Sequence, residues 1–369
     1  MPFPKIQVKH LQELSQISGA ANIHTSEDEL IRCASDHTED LHYRAEVVIT
    51  PETVEQISEV MRYCHAHGLP VTPRGAGTGL SGGALPVAGG VLLDMRRFNK
   101  ILHIDKQNFQ VTTEPGVITQ VLQETLLAEG LFYPPDPASK GSCFIGGNVA
   151  ENSGGPRAVK YGVVKDYVLN LEVVLPNGEV MWTGANVLKN ATGYNLTQLI
   201  VGSEGTLAII TKIVLRLIPA VQHNMLLLVP FRSAVQACEA VNAIFMAGYT
   251  PSALEFMERD AIEWSMKYVQ SSAIDLPADI QAHLLIEVDG NNTDQLYRDA
   301  EAISDIVQRY DVGDVLFADS HEQKQILWTL RRKVGEAVKS NSIYKEEDTV
   351  VPRAKLPQLL TINKQLGAE

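Results

Sequence analysis

The sequence has no long hydrophobic segment and few cysteines. Its longest apolar run, Met225–Phe231, is far below the roughly 18 residues that a membrane-spanning helix needs, and the N-terminal residues contain no apolar stretch typical of a signal peptide. The cysteines form no CxxC pair, so they predict neither an iron–sulfur cluster nor a zinc site. They are Cys33, Cys64, Cys143 and Cys238. These absences favour reduced thiols and a cytoplasmic location.

Basic residues are also scarce. The chain has 31 lysines and arginines against 44 aspartates and glutamates, which gives a formal net charge of −13. Because phosphate backbones are bound by clustered basic residues, this balance argues against nucleic acid as a partner. Hydrophobic residues make up 45% of the 369 positions, enough to bury a core, and the length indicates two or three domains.

Short strands and helices alternate without a regular βα repeat, which predicts an α+β fold. We expect a helical segment over residues 1–44, a first domain over 45–220 and a second domain over 221–369. The second domain contains two strand–helix–strand patterns, 225–257 and 283–318, and their repetition predicts a ferredoxin-like sheet.

Beyond this sheet, we expect one long helix over 322–340, a strand over 348–351 and a last helix from Leu356. In the first domain, a strand over 45–50, a helix ending at Gly68 and a strand over 69–73 precede a glycine-rich segment directly.

That segment, Pro73–Gly83, is the strongest local signal. Its glycines leave backbone N–H groups unobstructed, so that they can converge on a pyrophosphate. The spacing Gly77-x-Gly79-x-x-Gly82 formally matches a Rossmann fingerprint, but Pro86 follows where the phosphate-binding helix would have to begin. A dinucleotide-binding Rossmann unit is therefore excluded, and a flexible glycine loop is the alternative.

Two further segments combine turn residues with polar side chains. Residues 133–157 hold a run of prolines, a glycine pair and the amides Asn148 and Asn152, which suit the edge of a flat heterocycle. The turn Gly202–Gly205 could bring backbone amides to a ligand. A turn-rich structural loop explains the first segment about equally well when it is taken alone, and the turn by itself is a weak signal.

Together these motifs carry a family resemblance. They occur in an order that resembles FAD-linked oxidases of the vanillyl-alcohol oxidase/PCMH fold, most closely the flavin-binding glycolate oxidase subunit and the D-lactate and D-2-hydroxyglutarate dehydrogenases. The motifs are Arg74-Gly-Ala-Gly-Thr-Gly, Pro135-Asp-Pro, Ile145-Gly-Gly-Asn-Val-Ala-Glu-Asn, Lys160-Tyr-Gly and Gly202-Ser-Glu-Gly-Thr-Leu. The resemblance implies a PCMH-type FAD-binding domain of two subdomains, followed by an incomplete ferredoxin-like α+β cap domain.

The resemblance also implies which residues bind FAD. They are Pro73, Arg74, Gly75, Ala76, Gly77, Thr78, Gly79, Ser81, Gly82, Pro135, Asp136, Ser139, Gly146, Gly147, Asn148, Asn152, Gly205, Thr206 and Ile210. Relatives that bind the flavin covalently often carry histidine where this loop has Thr78. Threonine cannot form that bond, so a non-covalent flavin is expected.

For activity, the resemblance implies oxidation of a 2-hydroxy acid, such as glycolate or D-lactate, to the 2-oxo acid by hydride transfer to flavin N5. Electrons would pass to a non-nicotinamide acceptor, which allows an iron–sulfur partner subunit and peripheral attachment at the inner face of the membrane. Arg331 and Lys345 would bind the substrate carboxylate. The alternative for Arg331, Arg332 and Lys333 is a solvated helix face.

The resembled family places its catalytic base and a divalent metal site in an H-x-x-D-G-N-x-H segment, which this sequence does not contain. We therefore expect no metal ligands among these residues, a base beyond Glu369, and an incomplete C-terminal part. Two other functions stay open: a non-catalytic flavin-binding subunit or fragment, and a reductase of the same fold that uses NADPH.

Overall fold

The computed structural model describes residues 3–38, 40–272, 274–318, 320–343 and 349–366. These residues form two compact units. The first unit comprises the described residues within Met1–Gly155 and Val163–Ala220, and the second comprises those within Pro156–Gly162 and Val221–Glu369.

The first unit mixes short helices and strands. Its helices are α1 (Val8–Ser18), α2 (Glu27–Arg32), α3 (Val54–His67), α4 (Thr119–Ala128), α5 (Ile145–Glu151) and α7 (Leu196–Ile200), with 3₁₀ turns at Ala20–Asn22, Met95–Arg97 and Val164–Asp166. Its strands are β1 (Ile23–His24), β2 (Val47–Ile49), β3 (Val71–Arg74), β4 (Val91–Asp94), β5 (Ile101–Asp105), β6 (Gln110–Thr113), β7 (Leu131–Phe132), β8 (Val168–Val174), β9 (Val180–Trp182), β10 (Ile209–Arg216) and β11 (Ile218–Pro219).

Two main sheets organise this unit. The first has the order β1-β2-β4-β3, in which β4 pairs in parallel with both β2 and β3. The second has the order β5-β6-β10-β8-β9 and is antiparallel throughout. Helix α3 begins at Thr53, whose side chain accepts a hydrogen bond from the Gln56 N–H, and ends at Gly68 with φ +65°. The glycine loop therefore connects β3 to β4, two neighbouring parallel strands.

The second unit contains the helices α6 (Ala158–Tyr161), α8 (Ala234–Met246), α9 (Arg259–Val269), α10 (Thr293–Val307), α11 (His321–Arg332), α12 (Val334–Asn341) and α13 (Leu356–Leu366), and a 3₁₀ turn at Arg353–Lys355. Its strands are β12 (His223–Phe231), β13 (Ala253–Glu258), β14 (Ala282–Gly290) and β15 (Leu316–Ala318). They form an antiparallel sheet of order β13-β14-β12-β15, which is the ferredoxin-like arrangement.

Apolar side chains on the two faces of this sheet build two cores. On one face, alternate residues of β12 and β14 such as Leu227 and Ile286 pack with α8 and α10. On the other face, Leu226 and Leu285 pack with α9 and α11. Burial on both faces explains the long apolar runs that the sequence shows in these strands.

Two expectations for the C-terminal third need correction or qualification, and a third agrees with the structure. The single helix expected over 322–340 is two helices, α11 and α12, separated at Lys333; the carbonyl of Leu330 accepts a hydrogen bond from the Ser265 hydroxyl, 2.5 Å away. Residues 349–351 are not in a strand, and Asp348 lies outside the described residues. The last expected helix is present as α13.

His283 gives the second unit a testable dependence on pH. Its side chain is 1% exposed on β14, and burial, followed by the positive charge of Arg259, lowers its pKa to about 4. In the unfolded chain the pKa would be about 6.5, so the unfolded state binds the proton first as the pH falls. Stability from the neutral histidine is therefore lost as the pH decreases from about 6.5 towards 4.

We expect this effect to remove about 2 kcal/mol of unfolding free energy between pH 7.5 and 5. His283→Leu should lose that part of the pH dependence, whereas the exposed control His321→Leu should keep it. Urea unfolding followed by tryptophan fluorescence measures both variants. An unchanged pH dependence in His283→Leu would contradict the assignment.

Candidate functional site

A buried arginine, Arg74, stabilises the backbone at the start of the glycine loop (residues 75–84). Arg74 is 5% exposed, and its guanidinium donates hydrogen bonds to the carbonyl oxygens of Ser35 (2.8 Å) and Cys33 (3.4 Å). Gly77 has φ +71°, and a Cβ there would lie 2.2 Å from Arg74 Nη2. Only glycine therefore fits above the arginine, and Arg74 acts as the support of the loop.

The backbone amides of this loop lack acceptors among the described residues. None of the backbone N–H groups from Gly75 to Ala84 donates a hydrogen bond to a partner in the described part of the chain. Most residues of this stretch are only partly exposed. Backbone donors away from bulk water are nearly always paired, so a consecutive run without partners indicates a site for an anionic ligand.

A cavity opens beside the loop, and its empty space, counted together with the solvent at its mouth, is about 620 Å³. Glycine and alanine make up about half of its lining. The lining residues are Pro73, Arg74, Gly75, Gly83, Ala84, Met95, Pro115, Gly146, Gly147, Ala150, Glu151, Glu204, Gly205, Ala208, Ile209 and Ile210.

One wall of the cavity is α5 together with the turn Gly202–Gly205. The turn is held to the helix by two backbone hydrogen bonds, from Gly202 N–H to the Val149 carbonyl and from Glu204 N–H to the Ala150 carbonyl, both 3.0 Å. Gly205 has φ +73°, and a Cβ there would lie 2.6 Å from Cγ of Pro73. The turn can approach β3 this closely because residue 205 has no side chain.

The glycine pair of α5 has two different environments. A Cβ on Gly146 would lie 2.4 Å from Cβ of Pro115, so this glycine is required for packing. A Cβ on Gly147 would have no atom within 4 Å, although the residue lines the cavity. Gly147 therefore keeps space open instead of allowing a protein contact.

The structure brings together part of the predicted FAD set around this cavity. Seven of the predicted residues line it, namely Pro73, Arg74, Gly75, Gly146, Gly147, Gly205 and Ile210. Six more belong to the adjacent loop, namely Ala76, Gly77, Thr78, Gly79, Ser81 and Gly82.

The remaining predicted residues are not among the lining residues. Asp136 pairs with Lys140 at 2.8 Å, and the side-chain amide of Asn148 donates to Thr119 Oγ1 at 2.5 Å. Asn152 ends α5 with φ +50°. Thr206, Pro135 and Ser139 also lie outside the lining. The contact of these six residues with a cofactor stays a prediction.

Sequence reasoning missed the acidic side chains of the cavity, Glu151 and Glu204. Glu151 lies within a motif that had been singled out, but no pattern indicated that its carboxylate would meet the glycine loop. Met95 and Pro115 were also missed because they come from connections outside every motif.

In the second unit, the predicted substrate residue Arg331 lies on α11. Its Nε donates to Glu255 Oε2 on β13 at 2.6 Å. Lys345, the other predicted residue, lies outside the described residues. Arg331 is thus held by an ion pair with a residue of β13. Its role toward a substrate stays a prediction.

A buried carboxylate organises polar groups on the same sheet. Glu287 on β14 is 2% exposed and accepts hydrogen bonds from the Asn224 amide (3.0 Å), the Ser252 hydroxyl (3.1 Å) and the Trp328 indole (3.1 Å). Arg157 lies 4.0 Å from it. Three donors and a nearby cation offset the cost of burying this charge.

Asp289 lies two residues after Glu287 on β14 and holds α6 in place through two contacts. Lys160 Nζ is 2.5 Å from Asp289 Oδ1, and the Tyr161 hydroxyl donates to Oδ2 at 2.8 Å. The sequence does contain a signal for these two sites. Glu287 and Asp289 stand two residues apart in an otherwise apolar strand, and residues i and i+2 of a strand lie on the same face. In the sequence, Lys160 stands out only as part of the Lys160-Tyr-Gly motif.

Within the described ranges, one group has the spacing of metal ligands: Glu29, Cys33 and Asp94. Its carboxylates already form ion pairs with Arg32 at 2.8 and 2.9 Å, and Arg96 contacts both. Hydrogen bonding to Arg32 lowers the pKa of Glu29 to about 2. The guanidinium groups supply the positive charge that a metal would bring.

For the described residues, none of the helices combines the length and apolar character that crossing a membrane requires.

Family comparisons identify two domains in this chain. A model described as "FAD binding domain" matches residues 45–184, and a model described as "FAD linked oxidases, C-terminal domain" matches residues 220–369.

Two relatives are similar over most of the chain. A D-lactate dehydrogenase of Anaerostipes hadrus is 40% identical over 330 residues, which span 88% of this chain and 69% of the relative. Glycolate oxidase subunit GlcD of Bacillus subtilis is 37% identical over 361 residues, which span 97% of this chain and 76% of the relative.

Solved structures with low sequence identity share the fold. Alkyldihydroxyacetonephosphate synthase superposes with a TM-score of 0.78 at 20% identity, covering 99% of this chain and 76% of that one. p-Cresol methylhydroxylase gives 0.70 at 20% identity, covering 88% and 68%. The predicted PCMH-type fold is therefore confirmed, as are the FAD cofactor and the oxidoreductase class. The chain belongs to the family of FAD-linked oxidoreductases that includes glycolate oxidase GlcD and D-lactate dehydrogenase.

Proposed function

We propose that this enzyme oxidises a 2-hydroxy acid to the 2-oxo acid with FAD bound in the cavity beside the glycine loop. When bound, FAD supplies the hydride acceptor, N5, and it passes electrons to an acceptor other than a nicotinamide. The observation that carries the proposal is the run of unpaired amides from Gly75 to Ala84, found in a chain of this family.

The residues present fit FAD in two respects. The pyrophosphate is a dianion whose oxygens can accept hydrogen bonds from the unpaired N–H groups of the loop, as in other backbone anion sites. Gly147 and Gly205 keep the cavity wall free of side chains, which suits a flat ring system. Thr78 supports a non-covalent flavin, because its hydroxyl cannot form the link that histidine makes.

On the substrate side, we propose that Arg331 binds the carboxylate of the hydroxy acid, together with Lys345. The guanidinium has five N–H donors in a fixed fork, and Glu255 engages only Nε in the contact described above. Glu255 would hold the fork in one orientation while the other donors face a carboxylate.

The electron acceptor is proposed to lie on another subunit that carries an iron–sulfur cluster. All four cysteines of this chain are buried and isolated, so they do not offer a cluster site of their own. A location in the cytoplasm, at the inner face of the membrane, agrees with these thiols and stays a prediction.

The glycine pair of α5 tests the position of FAD. Gly147→Ala should weaken FAD binding at least about tenfold, because the new methyl group enters the cavity, with little change in the melting temperature of the apoprotein. Gly146→Ala should destabilise the fold by about 1–3 kcal/mol, because its Cβ meets Pro115. Fluorescence titration and thermal melts measure both, and wild-type FAD affinity in Gly147→Ala would contradict the assignment.

An anaerobic bleaching screen tests the reaction. The FAD-loaded protein should lose its flavin absorbance on addition of glycolate, D-lactate or D-2-hydroxyglutarate. Arg331→Met should raise the concentration for half-maximal bleaching rate at least about tenfold, because a charge-assisted contact is lost. Lys333→Met, which removes an exposed partner of Glu336 beside the same helix end, should not.

The same screen separates the alternatives. A chain that holds FAD but is bleached by no hydroxy acid would be a flavin-binding subunit without its own turnover. Rapid bleaching by NADPH alone would instead indicate a reductase. Either result would contradict the proposed activity.

A further inference from the structure

Glu151 brings a carboxylate to the glycine loop. It is the last residue of α5, and the Ser81 hydroxyl lies 3.2 Å from each of its carboxylate oxygens. A Cβ placed on Gly79 or Gly83 would lie 3.5 or 3.4 Å from Glu151 Oε1. An acidic group therefore lies against the loop whose amides lack acceptors.

The other charged groups around Glu151 are also acidic. Glu204 comes from the turn Gly202–Gly205, and its Oε2 would lie 3.3 Å from a Cβ on Gly83. Asp36 belongs to the segment whose His37 N–H donates to the Gly79 carbonyl at 3.2 Å. Arg74, the cation of the loop, directs its guanidinium to the Cys33 and Ser35 carbonyls.

These surroundings favour the neutral form of Glu151. Partial burial raises the pKa of this carboxyl group, the negative charges of Glu204 and Asp36 raise it further, and the hydrogen bond from Ser81 opposes the shift. In the structure the side chain is still exposed at the cavity. A ligand that fills the cavity would remove water from it, and an anionic ligand would add like-charge repulsion.

We propose that Glu151 binds FAD as a neutral carboxylic acid. Binding of the dianionic cofactor transfers one proton from solvent to a carboxylate oxygen of Glu151, and the resulting O–H donates a hydrogen bond to FAD. Protonation removes the repulsion and converts an acceptor into a donor. The inference rests on FAD occupying the cavity as proposed above.

Isothermal titration calorimetry of the apoprotein with FAD counts this proton. At pH 7.5, the apparent binding enthalpy should differ between phosphate and Tris buffers. The difference, divided by the difference between the ionisation enthalpies of the two buffers, should correspond to the uptake of close to one proton per FAD. The FAD Kd should rise about tenfold between pH 7.5 and 8.5, as linkage to one proton requires. The surface control Glu59→Gln on α3 should behave like the wild type.

Two substitutions separate the charge from the hydrogen bond. Glu151→Gln, which is neutral and keeps a donor, should bind FAD with no proton uptake and with a Kd independent of pH. Glu151→Ala should also lose the uptake and bind FAD more weakly than Glu151→Gln. Tight binding of FAD by the wild type without proton uptake, or uptake that persists in Glu151→Gln, would overturn the inference and leave the proposed function intact. A wild type that binds no FAD would overturn both.

Discussion

The unpaired backbone amides between Gly75 and Ala84 are the constraint on which the rest of the site depends. A protein can leave such donors without partners only where a ligand or water takes their place. Arg74 makes the arrangement possible, because its hydrogen bonds to the Cys33 and Ser35 carbonyls fix the backbone below the loop. The loop therefore has a defined shape although its own amides make no internal hydrogen bonds.

The wall formed by α5 and the turn Gly202–Gly205 is held by equally specific packing. The turn Gly202–Gly205 is hydrogen-bonded to α5, and Gly146 packs against Pro115, so that Gly147 faces open space. These contacts also bring Glu204 and Glu151 close to Gly83. In the proposed binding mode, a site that attracts a dianion with backbone dipoles also contains two carboxylates, and this opposition would make the protonation state of Glu151 the variable that couples cofactor affinity to pH.

Much of this could be predicted from the sequence where the signal is local. The end of α3 at Gly68, the glycine loop and the apolar strands β12 and β14 follow from residue types at fixed spacing. The discounted Rossmann match was a correct inference from Pro86, since the loop enters β4 without a phosphate-binding helix. Strand β4 itself was missed because four buried residues after a glycine pair carry no periodicity.

The contacts that could not be predicted join residues far apart in the chain. Arg74 was predicted to bind the cofactor because it stands in the motif, and it does line the cavity. The hydrogen bonds of its guanidinium to carbonyl oxygens about 40 residues earlier could not be predicted from any sequence pattern. The network around Glu287 likewise consists of tertiary hydrogen bonds, as does the contact of Ser265 with the Leu330 carbonyl near the break at Lys333. The role of a side chain within a motif therefore depends on its hydrogen-bond partners, which are distant in the sequence, more than on its position in the motif.

The central claim is that the loop amides bind a diphosphate, and competition by cofactor fragments tests it most directly. Apoprotein should bind ADP at least about a hundredfold more tightly than adenosine at neutral pH, because only ADP satisfies the amides, and each hydrogen bond to a charged group contributes about 1.5–3 kcal/mol. Equal affinities for ADP and adenosine would contradict the claim that these amides hold the cofactor.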